Sequence, residues 1–247
     1  MKTIALHPTD IHKGPLILIN SDYPYYENPH LRIIEDHQIL LEKTTMNLYN
    51  QIINDPYLKE NIMPTSGYRT VIQQTQIYND SLKENGLDFT QRFVALPQHS
   101  EHQSGLAIDL SLSHEDIDLI TPHFVDHSAC EYFKNRALEY GFIQRYTKEK
   151  QFITNIDDEP WHFRYIGIPH SFYMFENNLC LEEYIDHLKQ YSIYQPLHYC
   201  YQNRLFTIFY VPMAQESVHL SLSDQAIYQI SGNNVDGFIV TSWRAYV

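Results

Sequence analysis

The sequence predicts an α+β protein in which a small antiparallel sheet with flanking helices surrounds a cleft, followed by a β-rich C-terminal appendage. Two observations support this class. Up to about residue 191, segments with helical spacing of apolar residues alternate with apolar runs of strand length. Beyond residue 191, short β-type runs follow one another, separated by polar turns. With 247 residues, the chain is long enough to bury a sizeable core.

The change in apolar pattern near residue 191 also predicts the domain organisation. We expect residues 1–191 to form the main domain, with the N-terminal segment 1–30 packing on it. Residues 192–247 would form the appendage, which either packs on the main domain or serves in dimerisation. The sequence does not decide between these two roles, and it leaves the oligomeric state open.

The first elements are predicted from apolar spacing and from breaking residues. Residues 15–20 read as a strand, and residues 22–29 as a loop rich in Tyr and Pro. Between Leu31 and Asn54 apolar residues recur at roughly helical spacing, so we expect one helix there. The Asp55-Pro56 pair would end it.

The next helix has signals at both ends. Thr70 is a suitable N-cap for a helix that starts at Val71 and runs to about Glu84. Asn85-Gly86 would end this helix. Residues 86–104 are expected to be mostly loop.

The remaining elements follow from the same rules. Strands are predicted over residues 105–112, 142–146, 153–156 and 162–166, and helices over 126–140 and 181–191. In the appendage the β-type runs are 205–211, 218–222, 226–230 and 238–242.

Charge and composition restrict the function. The formal net charge of −13 argues against nucleic acid as a partner, since nucleic-acid binding needs clustered Lys and Arg. No segment approaches the ~20 apolar residues of a membrane-spanning helix. The short apolar run Leu16–Ile19 is not a signal peptide, and the three cysteines lack disulfide or zinc spacing. We therefore expect a cytoplasmic protein.

Two short segments carry residues typical of a metal site: Ser100-Glu101-His102-Gln103-Ser104-Gly105-Leu106-Ala107-Ile108-Asp109 and Glu159-Pro160-Trp161-His162. Two imidazoles and a carboxylate, from His102, His162 and Asp109, suit Zn²⁺ and leave one coordination position open. Glu159 is then a spare carboxylate beside the metal, as activation of a water molecule requires.

Each of these residues also has an ordinary structural interpretation. The chain has 14 His, so most of them are not ligands, and His99 competes with His102 for the ligand role. Asp109 could be an edge residue of a strand. Glu159 follows Asp157 and Asp158, and an acidic run is usually a solvated loop. The combination of both segments favours the metal site.

Arg69 immediately precedes the predicted helix that Thr70 caps. Side chains at this place reach into a cleft, and the backbone N–H groups of a helix start favour an anion. The alternative is a surface ion pair. Because the chain is acidic overall, an anionic substrate would need a local cation such as Arg69.

The chain resembles the D-Ala-D-Ala zinc metallopeptidases over roughly residues 15 to 190. The resemblance rests on four ordered motifs: Ser66-Gly67-Tyr68-Arg69-Thr70 with Gln74; His102 followed by Asp109; Tyr140-Gly141-Phe142-Ile143-Gln144-Arg145-Tyr146; and Glu159-Pro160-Trp161-His162-Phe163-Arg164-Tyr165-Ile166-Gly167. Within this family the layout is most similar to the VanXY-type D,D-dipeptidase/D,D-carboxypeptidases.

The resemblance implies roles for seven residues. One Zn²⁺ per chain would be held by His102, Asp109 and His162, Glu159 would transfer protons, and Arg69 would stabilise charge on the carbonyl oxygen. Ser100 and Gln74 match positions near the substrate. The implied substrates are D-Ala-terminated peptides, either the free dipeptide D-Ala-D-Ala or the peptidoglycan precursor pentapeptide, and the implied role is glycopeptide (vancomycin) resistance.

Two alternatives remain open at this point. The first is an L,D-carboxypeptidase or a cell-wall endopeptidase of the same superfamily, with the same zinc site and a different pocket. The second is a non-catalytic zinc-binding interaction module. Glu159 argues against the module, because a structural zinc site has no use for a spare carboxylate.

Overall fold

The computed structural model describes residues 1–114 and 118–244. Within this part the strands are β1 (Lys2–Leu6), β2 (Ile33–Asp36), β3 (Ile39–Glu42), β4 (Ile62–Ser66), β5 (Ala107–Leu112), β6 (Phe142–Tyr146), β7 (Glu159–Tyr165), β8 (Leu197–Tyr201), β9 (Arg204–Pro212), β10 (Val218–Leu222), β11 (Ile227–Gly232) and β12 (Gly237–Trp243).

The α-helices are α1 (Lys43–Ile53), α2 (Pro56–Asn61), α3 (Val71–Asn85), α4 (Leu87–Phe93), α5 (Ser128–Glu139), α6 (Gln151–Thr154), α7 (His170–Glu176) and α8 (Leu181–Leu188). Two 3₁₀ segments, Pro8–His12 and Glu101–Ser104, complete the described elements. The α+β class, with small antiparallel sheets and C-terminal β-strands, is confirmed.

The chain forms two compact units, one of them Ile19–Phe175 and the other made of Met1–Leu18 with the chain from Glu176 onward. The N-terminal residues belong to the second unit because β1 pairs with β10 in an antiparallel ladder. The predicted domains, residues 1–191 and 192–247, stay a prediction. The two compact units divide the chain at other positions.

The Ile19–Phe175 unit is built on a four-stranded antiparallel sheet in the order β4-β5-β7-β6. One face of this sheet packs against α1, α2 and α5 through a continuous apolar core that includes Met46, Ile52 and Phe133. Asp109 on β5 lies opposite His162 on β7 and opposite Ser66 on β4. The register of the two central strands therefore places a carboxylate beside an imidazole.

The helix α3 agrees with its sequence signals. It begins after Thr70, whose hydroxyl accepts a hydrogen bond from the Gln73 backbone N–H, and it ends at Gly86, where φ is +81°. A positive φ at the end of a helix favours glycine, which explains why Gly86 stops it.

The single helix predicted over residues 31–54 is wrong. Residues 33–42 form the β2–β3 hairpin, and α1 begins only at Lys43. His37 and Gln38 both have positive φ, as tight hairpin turns require. Buried Ile39 and Leu41 alternate with exposed Leu40. This period of two belongs to a strand and competes with the helical spacing over so few residues.

Three further expectations fail. Residues 15–20 form no strand: Leu16–Ile19 are buried, and the backbone groups of Leu16 and Leu18 bond to the Ser231 hydroxyl, the Asn233 carbonyl and the Asn234 amide instead of a ladder. Residues 86–104 are only partly loop, since they contain α4 and a 3₁₀ turn. Residues 153–156 do not form a strand, because α6 occupies Gln151–Thr154.

The second unit contains a four-stranded sheet in the order β11-β12-β9-β8 and the two-stranded β1–β10 ladder. One apolar cluster of this unit consists of the buried residues Leu6, Ile11, Phe209, Val211, Leu220, Leu222, Phe238 and Val240. β1 and β8 were not predicted, while β9, β10, β11 and β12 lie close to their predicted positions. Among the helices that the structure describes, none is long and apolar enough to cross a membrane.

Candidate metal centre and active site

His102, Asp109 and His162 converge in the Ile19–Phe175 unit. Their ligand-type atoms all lie within 4.8 Å of one another, and all three side chains are buried. Asp109 and His162 come from paired positions of β5 and β7. His102 comes from the 3₁₀ turn before β5, which Gly105 closes in the left-handed conformation. An added Cβ at Gly105 would lie 2.8 Å from the Glu42 backbone nitrogen, so only glycine suits this turn.

Hydrogen bonds orient both imidazole rings towards Asp109. His102 Nδ1 lies 2.7 Å from the Gly67 carbonyl oxygen, which leaves Nε2 3.0 Å from Asp109 Oδ2. His162 Nδ1 lies 2.8 Å from Asp109 Oδ1. One carboxylate therefore faces a different nitrogen of each ring.

The two imidazoles of the cluster have pKa values that are shifted in opposite directions. Burial and the Arg69 charge lower the pKa of His102 to about 4. Burial acts in the same direction on His162, but the hydrogen bond with Asp109 and the nearby Glu101 carboxylate outweigh it and raise the pKa of His162 to about 9. Burial alone would raise the pKa of Asp109, yet His102 and His162 hold it well below its usual range.

This donor set fits a zinc ion. Two imidazole nitrogens and a carboxylate oxygen point to one place, in a buried site with no thiolate. Three protein ligands are the number typical of catalytic zinc, which keeps one position for water or substrate. His99 is outside the cluster: its Nδ1 lies 2.6 Å from the Asn20 carbonyl oxygen.

Glu159 is the first residue of β7, and its Oε2 lies 3.8 Å from His162 Nδ1. It is buried and stands beside the cluster without belonging to it. Burial raises the pKa of Glu159 to about 8, and the neighbouring His162 charge only partly offsets this. A carboxyl group whose pKa lies near neutrality is suited to proton transfer.

Arg69 reaches the same cluster from the segment before α3. Its Nη2 donates to Asp109 Oδ2 at 2.8 Å, and its Nε donates to the Ser66 hydroxyl at 2.9 Å. Nη1 lies 3.4 Å from Gln74 Oε1, and Gln74 Nε2 donates to the Ala95 carbonyl at 2.8 Å. A guanidinium has five N–H groups, so these bonds leave about two for another acceptor.

These residues line one narrow cleft of about 40 Å³, together with Ser100, Tyr146 and Trp161. Room for roughly three water molecules is available there. A neighbouring cavity of about 310 Å³ shares four lining residues with the cleft: Val94, Ala95, Tyr146 and Ile156. The structure therefore brings all seven predicted site residues to one cleft.

Sequence reasoning missed the surroundings of His162. Glu101 was noted only as part of a motif, yet it is buried with Arg145 and Arg164. The available signal was the occurrence of Arg145 and Arg164 inside apolar strand runs, because a buried arginine needs a carboxylate partner.

The chain matches known proteins over this site. The family described as VanY, D-alanyl-D-alanine carboxypeptidase, matches residues 38–168. The bifunctional D-Ala-D-Ala dipeptidase and D-Ala-D-Ala carboxypeptidase VanXYC of Enterococcus gallinarum is 45% identical over 181 residues, which are 71% of this chain and 95% of that protein.

Two solved structures show the same fold. The vancomycin resistance D,D-dipeptidase VanXYg, in complex with a D-Ala-D-Ala phosphinate analogue, superposes with a TM-score of 0.95 at 43% identity and covers 98% of this chain and 99% of its own. A vancomycin resistance D,D-pentapeptidase VanY variant in complex with Zn(II) gives a TM-score of 0.60 at 26% identity, covering 69% of this chain and 98% of its own. The chain therefore belongs to the VanY family of D-alanyl-D-alanine carboxypeptidases.

Proposed function

We propose that this chain is a zinc-dependent D,D-dipeptidase and D,D-carboxypeptidase, which hydrolyses D-Ala-D-Ala and removes the terminal D-Ala of the peptidoglycan precursor pentapeptide. The observation that carries the proposal is the buried convergence of His102, Asp109 and His162 beside Glu159. The likeness to VanXYC and VanXYg, each matched over nearly its whole length, supports the choice of substrate. The Ile19–Phe175 unit, which contains every proposed site residue, would carry the activity.

One Zn²⁺ per chain would be held by His102, Asp109 and His162. When bound, it would polarise the scissile carbonyl and lower the pKa of water towards about 7. A likeness to a Zn(II)-containing VanY structure supports this choice of metal.

Glu159 would act as the proton carrier. Its carboxylate is close enough to the cluster to take a proton from the attacking water and to return it to the departing amine. A bound divalent cation favours the ionised form of a nearby carboxyl group, so it would lower the raised pKa of Glu159 and make this group a base at neutral pH.

Arg69 would stabilise the charge that develops on the carbonyl oxygen, using the N–H groups that Asp109, Ser66 and Gln74 leave available. Gln74 would fix the guanidinium and the backbone at Ala95. Ser100 lines the cleft and would help to orient the substrate.

The cavity that adjoins the cleft supports activity on the longer substrate. The stem of a pentapeptide continues beyond the bond that is cleaved, so it needs more space than a dipeptide and more than the cleft alone offers. The 310 Å³ cavity beyond Val94 and Tyr146 offers that space.

Removal of D-Ala-D-Ala termini would give this chain a role in glycopeptide resistance, as the names of its relatives indicate for those proteins. We further propose that it works in the cytoplasm, on soluble precursors. Cys130 and the exposed Cys200 are free thiols, and free thiols are typical of a reducing compartment.

Replacing Arg69 with alanine should reduce kcat/KM about 10²–10³-fold, because one donor to the developing oxyanion is lost. The free energy of unfolding should fall by less than the corresponding ~3–4 kcal/mol of transition-state stabilisation. Steady-state kinetics and urea unfolding of the zinc-loaded variant measure both quantities. An unchanged rate combined with a loss of stability would reduce Arg69 to a structural partner of Asp109.

Side-by-side kinetics test the proposed dual function. Zinc-loaded protein should release D-Ala from free D-Ala-D-Ala and from a pentapeptide that ends in D-Ala-D-Ala, and substrates with an L residue before the final D-Ala should react much more slowly. Activity on only one of the two D,D substrates would contradict the dual function. Faster cleavage of the L,D bond would assign the chain to the L,D-carboxypeptidases instead.

A further inference from the structure

We infer that Glu101 is a positioning residue for the proposed zinc site: its carboxylate accepts the Nε2–H of His162 and thereby presents the lone pair of Nδ1 to the metal. This inference rests on the proposed zinc role of His162. It assigns a function to a buried carboxylate that lies outside the group formed by His102, Asp109 and His162.

The geometry places Glu101 at the second nitrogen of His162. His162 Nδ1 faces Asp109 inside the cluster, while Nε2 lies 3.5 Å from Glu101 Oε2 on the other side of the ring. Both atoms are buried, and neither has a hydrogen-bond partner among the described residues. A movement of ~0.5 Å would bring them to normal hydrogen-bond distance, so each is the natural partner of the other.

The other carboxylate oxygen of Glu101 is held in place by two arginines. Oε1 accepts from Arg145 Nε at 2.9 Å and from Arg164 Nη1 at 2.7 Å. Arg145 and Arg164 come from the edge strand β6 and the central strand β7, and their side chains are fully buried. Two positive charges therefore face this carboxylate inside the buried site.

In each of the two imidazoles of the cluster, an acceptor oxygen therefore binds the ring nitrogen that faces away from the metal position. Gly67 supplies a carbonyl oxygen to Nδ1 of His102, which directs Nε2 to the metal position. Glu101 supplies a carboxylate oxygen to Nε2 of His162, which directs Nδ1 there. Metal-bound histidines commonly donate their second N–H to such an acceptor, and loss of that acceptor typically costs 10–100-fold in metal affinity.

The competing explanation is that Glu101 only neutralises Arg145 and Arg164. The substitution Glu101→Gln separates the two explanations. Its amide oxygen must face the two arginines, which are donors only, so the amide NH₂ is directed towards His162 Nε2. That NH₂ would donate to Nε2 and favour the tautomer with a proton on Nδ1, where the metal must bind.

We therefore expect Glu101→Gln to weaken Zn²⁺ binding about 10–100-fold in chelator competition. Glu159→Gln is the matched control, because it makes the same change on a carboxylate that does not face Nε2 of His162. The zinc affinity of Glu159→Gln should stay close to that of the wild type. Unchanged zinc affinity in folded Glu101→Gln, with reduced stability alone, would overturn the inference and leave the proposed function intact. A wild-type protein that binds no zinc would instead overturn the proposed function.

The ring nitrogen of His162 that carries the proton can also be determined directly in the wild-type protein. In zinc-loaded protein, ¹H–¹⁵N spectra of the histidine rings should show a proton on Nε2 of His162, protected from exchange by its bond to Glu101. A proton on Nδ1 of His162, or a rapidly exchanging Nε2 proton, would overturn the positioning role even if Glu101→Gln did not fold.

Discussion

Replacing Glu159 with glutamine is expected to lower kcat by at least about 10²–10⁴-fold, the contribution typical of a positioned general base. The glutamine keeps the size of the side chain but can neither take a proton from water nor return one to the leaving amine. Zinc content should stay at the wild-type value, because the carboxylate of Glu159 lies outside the three-residue cluster.

Two measurements on the same preparation check this expectation: D-Ala release from D-Ala-D-Ala, and bound zinc determined by metal analysis after gel filtration. Glu159→Ala should behave alike, which would show that the lost proton transfer, and not the new amide, causes the effect. Loss of zinc from either variant would make Glu159 a ligand, and activity within tenfold of the wild type would remove it from the reaction.

Replacing His162 with alanine is expected to weaken zinc binding by more than the 10–100-fold that loss of an outer hydrogen-bond partner costs. The reason is that two ligands remain of the three that converge in the site. Hydrolysis should fall in parallel with bound zinc. His102→Ala should have the same effect, since its Nε2 faces the same carboxylate.

His99→Ala is the matched control for zinc content. His99 competes with His102 in the sequence, being only three residues away, but its ring bonds to the Asn20 carbonyl instead of entering the cluster. Competition with a chromophoric chelator should give a zinc affinity close to the wild-type value. Loss of zinc from His99→Ala together with retention in His102→Ala would contradict the proposed ligand set.

The elements that could be predicted from the sequence are those with local signals. Thr70 and Gly86 mark both ends of α3, and the strand predicted over residues 142–146 is β6. The β2–β3 hairpin was missed because its turn residues, His37 and Gln38, are not typical of a tight turn. Strand pairing supplies the hydrogen bonds that stabilise this turn, and a sequence window does not contain that information.

In the site, too, residues with a regular spacing could be predicted from the sequence, whereas contacts between distant segments could not. The spacing of His102, Asp109 and His162 predicts their convergence, and the β5–β7 register brings Asp109 and His162 together. The pairing of Glu101 with Arg145 and Arg164 joins three separated segments and has no spacing rule. Likewise, the bond from Arg69 to Asp109 depends on how the segment before α3 packs against β5.

The most direct test of the proposed zinc D,D-peptidase is D-Ala release from D-Ala-D-Ala by the same protein sample before chelation, after chelation, and after stepwise return of Zn²⁺. We predict that chelation abolishes turnover and that activity returns in proportion to zinc, reaching its maximum at one ion per chain. L-Ala-D-Glu should remain essentially uncleaved in the same assay. Full activity in the chelated protein, or faster cleavage of L-Ala-D-Glu than of D-Ala-D-Ala by the zinc-loaded protein, would contradict the proposal.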